Sequence, residues 1–169
     1  GFKNSTSGNV QVAVDAMVVA QSPHFFLGIT RKGQAAIVST KGNPCCHLVL
    51  RGGDSGPNYN TDSIADAIVR LEAAGLRANL MVDCSHGNSQ KDIGRQAVVF
   101  REAIRQRTSG TRQIIGLMLE SNLLPGNQRL NGNGLPDLQY GISVTDPCIG
   151  WEQTEELLKE AYELLGKSR

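Results

Sequence analysis

The feature that most constrains the fold is a repeated order of segments: a short apolar run, a polar loop, then an amphipathic helix. The apolar runs at residues 47–50, 80–82 and 114–119 lack the apolar–polar alternation of a half-exposed strand. Short strands that are apolar on both faces, each followed by a helix, are typical of a parallel sheet covered by helices. The sequence therefore predicts an α/β fold.

Four helices are predicted from apolar residues at helical spacing. Gly75 and Gly110 are placed to end the second and third helices, and Ser89 with Asp92 three positions later predicts a capping box at the start of the third. The apolar stripes, in chain order, are Val10, Val14, Met17 and Val18; Ile64, Ile68 and Leu71; Ile93, Ala97, Phe100 and Ile104; and Leu157, Leu158, Ala161 and Leu165.

One segment does not follow this order of apolar run, polar loop and helix. Residues 25–30 and 35–40 flank Arg31-Lys32-Gly33-Gln34 and predict an inserted β-hairpin. Residues 1–4 are interpreted as the tail of a preceding strand, which gives three complete strands and part of a fourth in one domain. A (β/α)₈ barrel needs eight strands and about 250 residues. The pattern alone favours part of such a barrel and a self-contained open sheet equally.

Composition excludes several classes of protein. Among 169 residues, 40% are hydrophobic and 20% charged, and the net charge of +1 gives no global field for nucleic acid or an anionic membrane. No run approaches the roughly 18 apolar residues of a membrane span. Four cysteines without a CxxC pair predict reduced thiols in a cytoplasmic protein. The first residues, without an initiating Met or a signal sequence, resemble the middle of a longer protein.

Ionisable residues follow the predicted strands. Lys3, Arg51, His86 and Glu120 each lie just beyond a strand, and Asp146 lies on the loop after the last one. The carboxyl ends of parallel strands share one face, where ligands bind. We therefore expect these five side chains to converge on one pocket.

Their chemistry divides them into two sets. His86, Glu120 and Asp146 suit Mn²⁺, Fe²⁺, Co²⁺ or Zn²⁺. Lys3 and Arg51 suit phosphate or carboxylate groups, and Arg51 is followed by two glycines whose amides an anion can approach closely. Taken singly, His86, Glu120 and Asp146 are more often hydrogen-bonded, solvated or salt-bridged loop residues than ligands. Arg51 is also explained by pairing with a neighbouring carboxylate. Together they indicate an enzyme that acts on a phosphorylated small molecule.

Three other features carry less weight. Gly53-Asp54-Ser55-Gly56-Pro57 is similar to the nucleophile motif of chymotrypsin-like proteases, but the βα order contradicts that fold and predicts a turn over 54–58. The glycine-rich residues 131–134 follow no strand and precede no lysine, so a flexible connection is favoured over a phosphate loop. Cys84 is two residues from His86 and is interpreted as a buried, inert thiol rather than a metal ligand.

A run of motifs then resembles a known family. The chain is similar, in order and spacing over essentially its whole length, to the type I (metal-dependent) 3-deoxy-D-arabino-heptulosonate 7-phosphate synthases. The motifs are Gly1-Phe2-Lys3-Asn4, Leu50-Arg51-Gly52-Gly53, Pro57-Asn58-Tyr59, Asp83-Cys84-Ser85-His86-Gly87-Asn88-Ser89, Gly116-Leu117-Met118-Leu119-Glu120-Ser121-Asn122, Gly126-Asn127-Gln128 and Ser143-Val144-Thr145-Asp146-Pro147-Cys148-Ile149-Gly150-Trp151.

The resemblance implies a (β/α)₈ TIM barrel, of which this chain holds about the fifth strand to the eighth helix. It implies condensation of phosphoenolpyruvate with erythrose 4-phosphate, the first step of the shikimate pathway. His86, Glu120 and Asp146 would be ligands of a divalent ion, Mn²⁺ before the other candidates. Lys3 and Arg51 would bind phosphoenolpyruvate, and Asp146 would also take part in proton transfer.

The resemblance also implies missing parts. A Gly-Pro-Cys ligand motif, a Lys-Pro-Arg-Thr stretch and a further arginine belong upstream, so we expect an incomplete barrel, little activity from this chain alone, and a homo-oligomer. The hairpin would contribute Phe26, Gly28 and Val38 to a pocket for an aromatic effector, Tyr before Phe. A hairpin that only stabilises subunit contacts is the alternative there. Alternatives for the whole are a related synthase using arabinose 5-phosphate and a non-catalytic fragment that binds phosphate and metal.

Overall fold

A computed structural model describes residues 1–130 and 138–167. Eleven helices and strands occur in the described residues. In chain order they are β1 (Phe2–Lys3), α1 (Gln11–Gln21), β2 (His24–Ile29), β3 (Ala35–Thr40), β4 (Leu48–Leu50), α2 (Thr61–Ala73), β5 (Leu80–Asp83), α3 (His86–Ser89), α4 (Ile93–Thr108), β6 (Ile114–Met118) and α5 (Trp151–Lys167).

Four of the strands form a parallel sheet in the order β1-β4-β5-β6, which confirms the predicted α/β class. Leu50 pairs with Val82 and Asp83 with Met118, so neighbouring strands end close together. Leu48, Leu50, Leu80 and Val82 are fully buried, as expected for strands covered on both faces. Among the described strands the sheet is open, with β1 and β6 at its edges.

Strands β2 and β3 form a separate antiparallel hairpin that begins one residue before the predicted start. Gly33 adopts the left-handed conformation in its turn, with φ of +76°, and its amide donates to Thr30 O at 2.9 Å. Residues alternate between the two faces of a strand. Phe25, Leu27, Ile29 and Ile37 are 75 to 81% exposed, so the face they share is apolar and uncovered in the described structure.

The predicted start of the third helix is wrong. Residues 86–89 form the separate short helix α3, and Gln90 and Lys91 then adopt left-handed φ values of +55° and +63°. A right-handed helix cannot continue through these two residues. Helix α4 therefore begins at Ile93, and Asp92 is its N-cap, accepting a hydrogen bond from Gly94 N at 2.9 Å instead of completing a capping box with Ser89.

Two helical stripes are narrower than predicted. In α1, Val14 and Met17 are buried but Val18 is 40% exposed. In α5, Leu157 and Ala161 are buried, whereas Leu158 is 51% and Leu165 37% exposed. In these two helices only part of the predicted stripe is therefore buried.

The remaining predictions concern local features. The turn predicted over 54–58 lies at residues 53–56, closed by Gly53 N–Gly56 O and Gly56 N–Gly53 O hydrogen bonds of 3.0 and 2.9 Å. The glycine-rich residues 131–134 lie outside the described residues. All four cysteines are free, and burial raises the pKa of the Cys84 thiol, which disfavours a thiolate. In the described part of the chain, no helix has the length and apolar character needed to span a bilayer.

Candidate metal and anion site

The candidate site lies where the parallel strands end. Lys3 is the last residue of β1 and Arg51 follows β4 directly. Asp83 ends β5, with His86 three residues later, and Glu120 lies two residues beyond β6. Parallel pairing brings these positions together at the carboxyl-terminal end of the sheet.

Three of the predicted side chains meet there. One ligand atom each from His86, Glu120 and Asp146 lies within 4.8 Å of the others. His86 Nε2 is 3.4 Å from Glu120 Oε1 and 3.9 Å from Asp146 Oδ2. Two ligands each about 2.1 Å from an ion lie roughly 3 to 4 Å apart, so this spacing fits one divalent ion. An imidazole with two carboxylates suits Mn²⁺, Fe²⁺, Co²⁺ or Zn²⁺.

The sequence reasoning missed Asp83, which lies behind His86. Its side chain has no exposed surface, and Oδ2 is 2.8 Å from Lys3 Nζ and 2.9 Å from His86 Nδ1. Its Oδ1 accepts hydrogen bonds from the amide and the hydroxyl of Ser85, at 3.0 and 2.6 Å. A carboxylate that ends an apolar strand three residues before a candidate ligand was the signal that could have identified it.

The buried carboxylate of Asp83 and the half-buried carboxylate of Glu120 respond differently to their surroundings. Burial by itself raises the pKa of Asp83, but hydrogen bonds from Lys3 and Ser85 and the charge of His86 outweigh it, leaving that pKa below its usual value. Burial raises the pKa of Glu120; the charge of His86 opposes the rise, and nearby Asp146 and Asp83 add to it. A bound cation would favour the ionised form of Glu120.

The backbone of His86 is held in an uncommon conformation. Its φ is +49°, which few residues other than glycine adopt. Immediately after it, a Cβ on Gly87 would lie 2.5 Å from Gly53 N, and a Cβ on Gly52 would lie 2.5 Å from Gly87 C. The loops after β4 and β5 therefore touch backbone to backbone, which only glycine at these positions allows.

Three asparagines join the loops at this end of the sheet. Asn4 Oδ1 accepts from Arg51 N at 2.9 Å, and its Nδ2 donates to Gly52 O at 3.0 Å. Asn58 Nδ2 donates to Asn4 Oδ1 at 3.1 Å, and Asn88 Oδ1 accepts from Asn58 N at 2.8 Å. Asn4 and Asn88 are buried, so these bonds form away from water and hold β1, β4 and β5 in register.

Glu120 is fixed through its backbone. The buried Gln96 of α4 accepts from Glu120 N at 2.9 Å and donates to Glu120 O at 3.4 Å. Glu120 O also accepts from Ile149 N at 2.9 Å, which ties the segment after β6 to the loop that carries Asp146. Asp146 itself has a side chain that is 64% exposed.

The two predicted anion-binding residues differ. Lys3 is engaged by Asp83 and is therefore anchored within reach of the metal-binding group. Arg51 has its backbone held by Asn4 and Asn88, but its guanidinium has no hydrogen bond or ion pair with any residue of the described structure. A half-buried guanidinium without a protein partner retains its donors for an anionic ligand.

The hairpin residues do not form an empty pocket. Phe26 pairs with Val38 across the two strands, and a Cβ on Gly28 would lie 2.7 Å from Val38 Cγ2. The space beside Gly28 is thus filled by Val38. A ring placed beside Gly28 would have to displace Val38, and an aromatic effector at this position stays a prediction.

Comparisons with known proteins agree on one family. Residues 1–159 match the family described as the DAHP synthetase I family. An Escherichia coli protein named phospho-2-dehydro-3-deoxyheptonate aldolase, Tyr-sensitive, is 48% identical over 163 residues, which are 96% of this chain and 45% of that protein. A second Escherichia coli protein, named Phe-sensitive, is 48% identical over 160 residues, 95% of this chain and 45% of its own length.

A solved structure gives the same result. The structure titled phospho-2-dehydro-3-deoxyheptonate aldolase from Francisella tularensis has a TM-score of 0.90 and 46% sequence identity to this chain. The match covers 100% of this chain and 48% of that one. The chain therefore spans about half the length of these relatives.

Proposed function

The chain belongs to the DAHP synthetase I family, and we propose that it supplies the metal-binding and part of the anion-binding machinery of a condensing enzyme. The reaction joins phosphoenolpyruvate, erythrose 4-phosphate and water to give 3-deoxy-D-arabino-heptulosonate 7-phosphate and phosphate. The observation that carries this proposal is the meeting of His86, Glu120 and Asp146 beside the anchored Lys3.

Lys3 and Arg51 bind phosphoenolpyruvate through its phosphate and carboxylate groups. Arg51 has an unpaired planar guanidinium suited to two-point contact with such a group, whereas Lys3 acts as a point charge fixed by Asp83. Holding the enol carbon in line with the aldehyde lowers the entropic part of the barrier, a contribution that reaches several kcal/mol in well-oriented reactions.

The group formed by His86, Glu120 and Asp146 holds a divalent ion, with Mn²⁺ the first choice for this ligand set. When bound, the ion supplies a Lewis acid for the aldehyde oxygen. The enol carbon of phosphoenolpyruvate bonds to the aldehyde carbon, water adds to the adjacent carbon, and phosphate leaves. Asp146, the most exposed of the three ligands, is assigned proton transfer near the aldehyde oxygen.

We also propose that the described sheet is the second half of a (β/α)₈ barrel, running from the fifth strand to the eighth helix. The edges of β1 and β6 then pair with strands of the other half. Beside β6 lies a cleft of about 770 Å³. Its lining includes Phe100, Ile104, Ile115 and Leu158, an apolar surface on which the next helix of the barrel packs. A chain without that half is expected to be nearly inactive.

The central test is a pair of arginine variants in the protein expressed from its complete gene. Arg51→Ala removes the anion-binding guanidinium and is expected to lower kcat/KM for phosphoenolpyruvate by at least about a thousandfold. Arg77→Ala is the matched control, because Arg77 is an exposed arginine near the amino end of β5, away from the site. Activity of the Arg51 variant near that of the control would refute the assignment.

Metal removal is the second test. A chelator should abolish turnover, and Mn²⁺ should restore it in the unmodified protein but not in His86→Ala. Product analysis with erythrose 4-phosphate and with arabinose 5-phosphate separates the proposed enzyme from the related eight-carbon sugar acid synthase. Tight binding of Mn²⁺ and phosphoenolpyruvate without product from either aldose would favour the non-catalytic alternative.

For regulation, we propose that the β2–β3 hairpin binds an aromatic amino acid and contacts a second copy of the chain. Support comes from the exposed apolar face of the hairpin and from two relatives whose names describe them as Tyr-sensitive and Phe-sensitive. Inhibition assays with Tyr, Phe and Trp should show one clear preference, and Val38→Ala should alter it. Equal inhibition by all three, or by none, would end this part of the proposal.

A further inference from the structure

We propose that Asp83 is a positioning residue that fixes the tautomer and ring orientation of His86 and anchors Lys3 with the same carboxylate oxygen. This inference rests on the metal-binding role proposed above for His86. It assigns to a fully buried residue the task of linking the metal-binding and anion-binding parts of the site.

The hydrogen bonds around His86 leave one consistent assignment of its ring proton. The Ser85 hydroxyl donates its single hydrogen to Asp83 Oδ1 at 2.6 Å. His86 Nδ1 lies 2.7 Å from that hydroxyl oxygen and 2.9 Å from Asp83 Oδ2, so both of its neighbours are acceptors. Nδ1 therefore carries the hydrogen in the neutral ring, and Nε2 keeps a lone pair.

The lone pair on Nε2 points towards the other two residues of the metal-binding group. Nε2 is the ring atom that faces Glu120 Oε1 and Asp146 Oδ2. An acceptor at the far nitrogen of a ligand imidazole raises its basicity and fixes its orientation, and here that acceptor is Ser85 Oγ, whose own hydrogen is held by Asp83. Asp83 thus prepares His86 for a cation before one arrives.

The same oxygen also fixes Lys3. Asp83 Oδ2 is 2.8 Å from Lys3 Nζ, and the lysine side chain is only 39% exposed. One buried atom is therefore shared by a metal-binding imidazole and an anion-binding ammonium. A change at Asp83 should disturb both parts of the site together.

The most informative variant is Asp83→Asn, which keeps the shape and removes the charge. Ser85 donates two hydrogen bonds to Oδ1, so that atom must remain an oxygen and the new amide nitrogen must replace Oδ2. That nitrogen would point its hydrogens at His86 Nδ1 and Lys3 Nζ. A donor in place of Oδ2 opposes a hydrogen on Nδ1 and favours the opposite tautomer, with the hydrogen on Nε2 and no lone pair for the ion.

The experiment uses the protein expressed from its complete gene. Nitrogen NMR of His86 in the metal-free protein, at a pH where the ring is neutral, reports its tautomer directly. Calorimetric titration with Mn²⁺ gives the affinity. We expect hydrogen on Nδ1 in the unmodified protein and on Nε2 in Asp83→Asn, with the Kd for Mn²⁺ raised by about 10- to 100-fold in the variant. Asp66→Asn, the same chemical change on the exposed side of α2, should leave both unchanged.

Two further readouts keep the proposal testable if Asp83→Asn does not fold. The tautomer of the unmodified protein alone decides the first step, and hydrogen on Nε2 there would overturn the proposal. Ser85→Ala should retain hydrogen on Nδ1, because Asp83 Oδ2, 2.9 Å away, is then the acceptor beside it. A reversed tautomer in this variant would mean that Ser85 sets it instead. A Kd for Mn²⁺ that is unchanged in folded Asp83→Asn would also overturn it.

These outcomes are separate from those of the proposed function. If the unmodified protein binds no Mn²⁺, the metal role of His86 fails, while the NMR measurement still reports whether Asp83 controls the ring. If Mn²⁺ binds and supports turnover in both the unmodified protein and Asp83→Asn with equal affinity, the proposed function stands and the positioning role fails.

Discussion

In the β2–β3 hairpin, paired residues are at most 16 positions apart in the chain, and the side chains of one face are three-quarters exposed. At the carboxyl ends of the parallel strands, the asparagine bonds that join the loops connect residues 30 to 54 positions apart, and each of these bonds is buried or partly buried. The hairpin is specified by local pairing, whereas the site is specified by contacts that exist only once the sheet has formed.

This difference predicts how each region responds to substitution. Loss of a buried hydrogen-bonding partner leaves other polar groups without water or protein to satisfy them, which costs more than loss of the same bond at the surface. Changes at the strand ends should therefore destabilise the whole chain. Changes in the hairpin should have small effects on folding.

The largest contrast is expected for Asn88→Ala. Asn88 Nδ2 donates to Leu50 O and Asp83 O at 3.0 and 2.8 Å, and its Oδ1 accepts from Asn58 N. Truncation removes these three hydrogen bonds and should lower the free energy of unfolding by about 3 kcal/mol. Urea unfolding followed by circular dichroism measures it. Thr40→Ala, which removes an exposed side-chain hydrogen bond in the hairpin, is the control and should cost less than about 1 kcal/mol. Equal losses of unfolding free energy in the two variants would contradict the difference between the two regions.

A pair of glycine variants separates the stability cost of a collision with neighbouring backbone from the cost of a left-handed φ. Gly52 and Gly33 both have left-handed φ, +68° and +76°. A Cβ on Gly33 would meet no heavy atom within 4 Å, so Gly33→Ala should cost only the conformational strain of about 1 kcal/mol. A Cβ on Gly52 would collide with the backbone of Gly87 and Asn88, and should cost about 1 to 3 kcal/mol more. Thermal unfolding of both variants measures the difference, and indistinguishable midpoints would show that the loops after β4 and β5 are not in fixed contact.

The exposed face of the hairpin should contribute little to the stability of the chain itself. Leu27 and Ile37 pair across the strands with 81% and 75% of their surface exposed. Leu27→Ala should change the free energy of unfolding by less than about 0.5 kcal/mol, because no apolar contact with the core is lost. Leu71→Ala on the buried face of α2 serves as the positive control, with a loss of about 2 to 5 kcal/mol. A loss above 2 kcal/mol for Leu27→Ala would indicate that another surface covers this face.

A small, pH-dependent effect is expected between helices α4 and α5. Arg101 donates two hydrogen bonds to Glu160, at 2.7 and 2.9 Å, and these hold the pKa of Glu160 below its usual value. A carboxylate with a lowered folded pKa stabilises the fold above its unfolded pKa, and the contribution is lost as the pH falls through the folded pKa. Glu160→Gln should cost at most about 1 kcal/mol at neutral pH because both side chains are exposed.

The pH dependence provides the check on this ion pair. Unfolding of the unmodified protein and of Glu160→Gln, measured from neutral pH to below the usual glutamate pKa of about 4.3, should give curves that converge at the acid end. Added salt should also reduce the difference at neutral pH. A difference that stays constant over this range would mean that the charge of Glu160 contributes nothing.

Much of the fold followed from the sequence because its apolar runs are short, buried and separated by helical stripes. The strands at 47–50, 80–82 and 114–119 and the turn at Gly33 were predicted closely. The helix start near Ser89 was not, since the left-handed conformations of Gln90 and Lys91 depend on packing around the site rather than on their own preferences. Propensity alone favours helix at both residues.

The candidate site was likewise predicted only in part from the sequence. Residue chemistry and position after a strand identified His86, Glu120 and Asp146, which the structure brings within one ligand-sized space. Asp83, Gln96 and the three joined asparagines were missed. The roles of Gln96 and the asparagines depend on partners that are far away in the chain, such as Asn4 for Asn58 and Glu120 for Gln96. No local pattern records such pairs.

Asp146 differs from the other two members of the metal-binding group in how it is held. The side chains of His86 and Glu120 are each 22% exposed, whereas that of Asp146 is 64% exposed on a loop that joins β6 to α5. If the loop is in place for only part of the time, the apparent Kd of a cation equals the Kd of the complete site divided by the fraction of time that the loop is in place. A bound ion would in turn hold this loop in place. Amide hydrogen exchange should therefore slow most around residues 143–148 when Mn²⁺ is added.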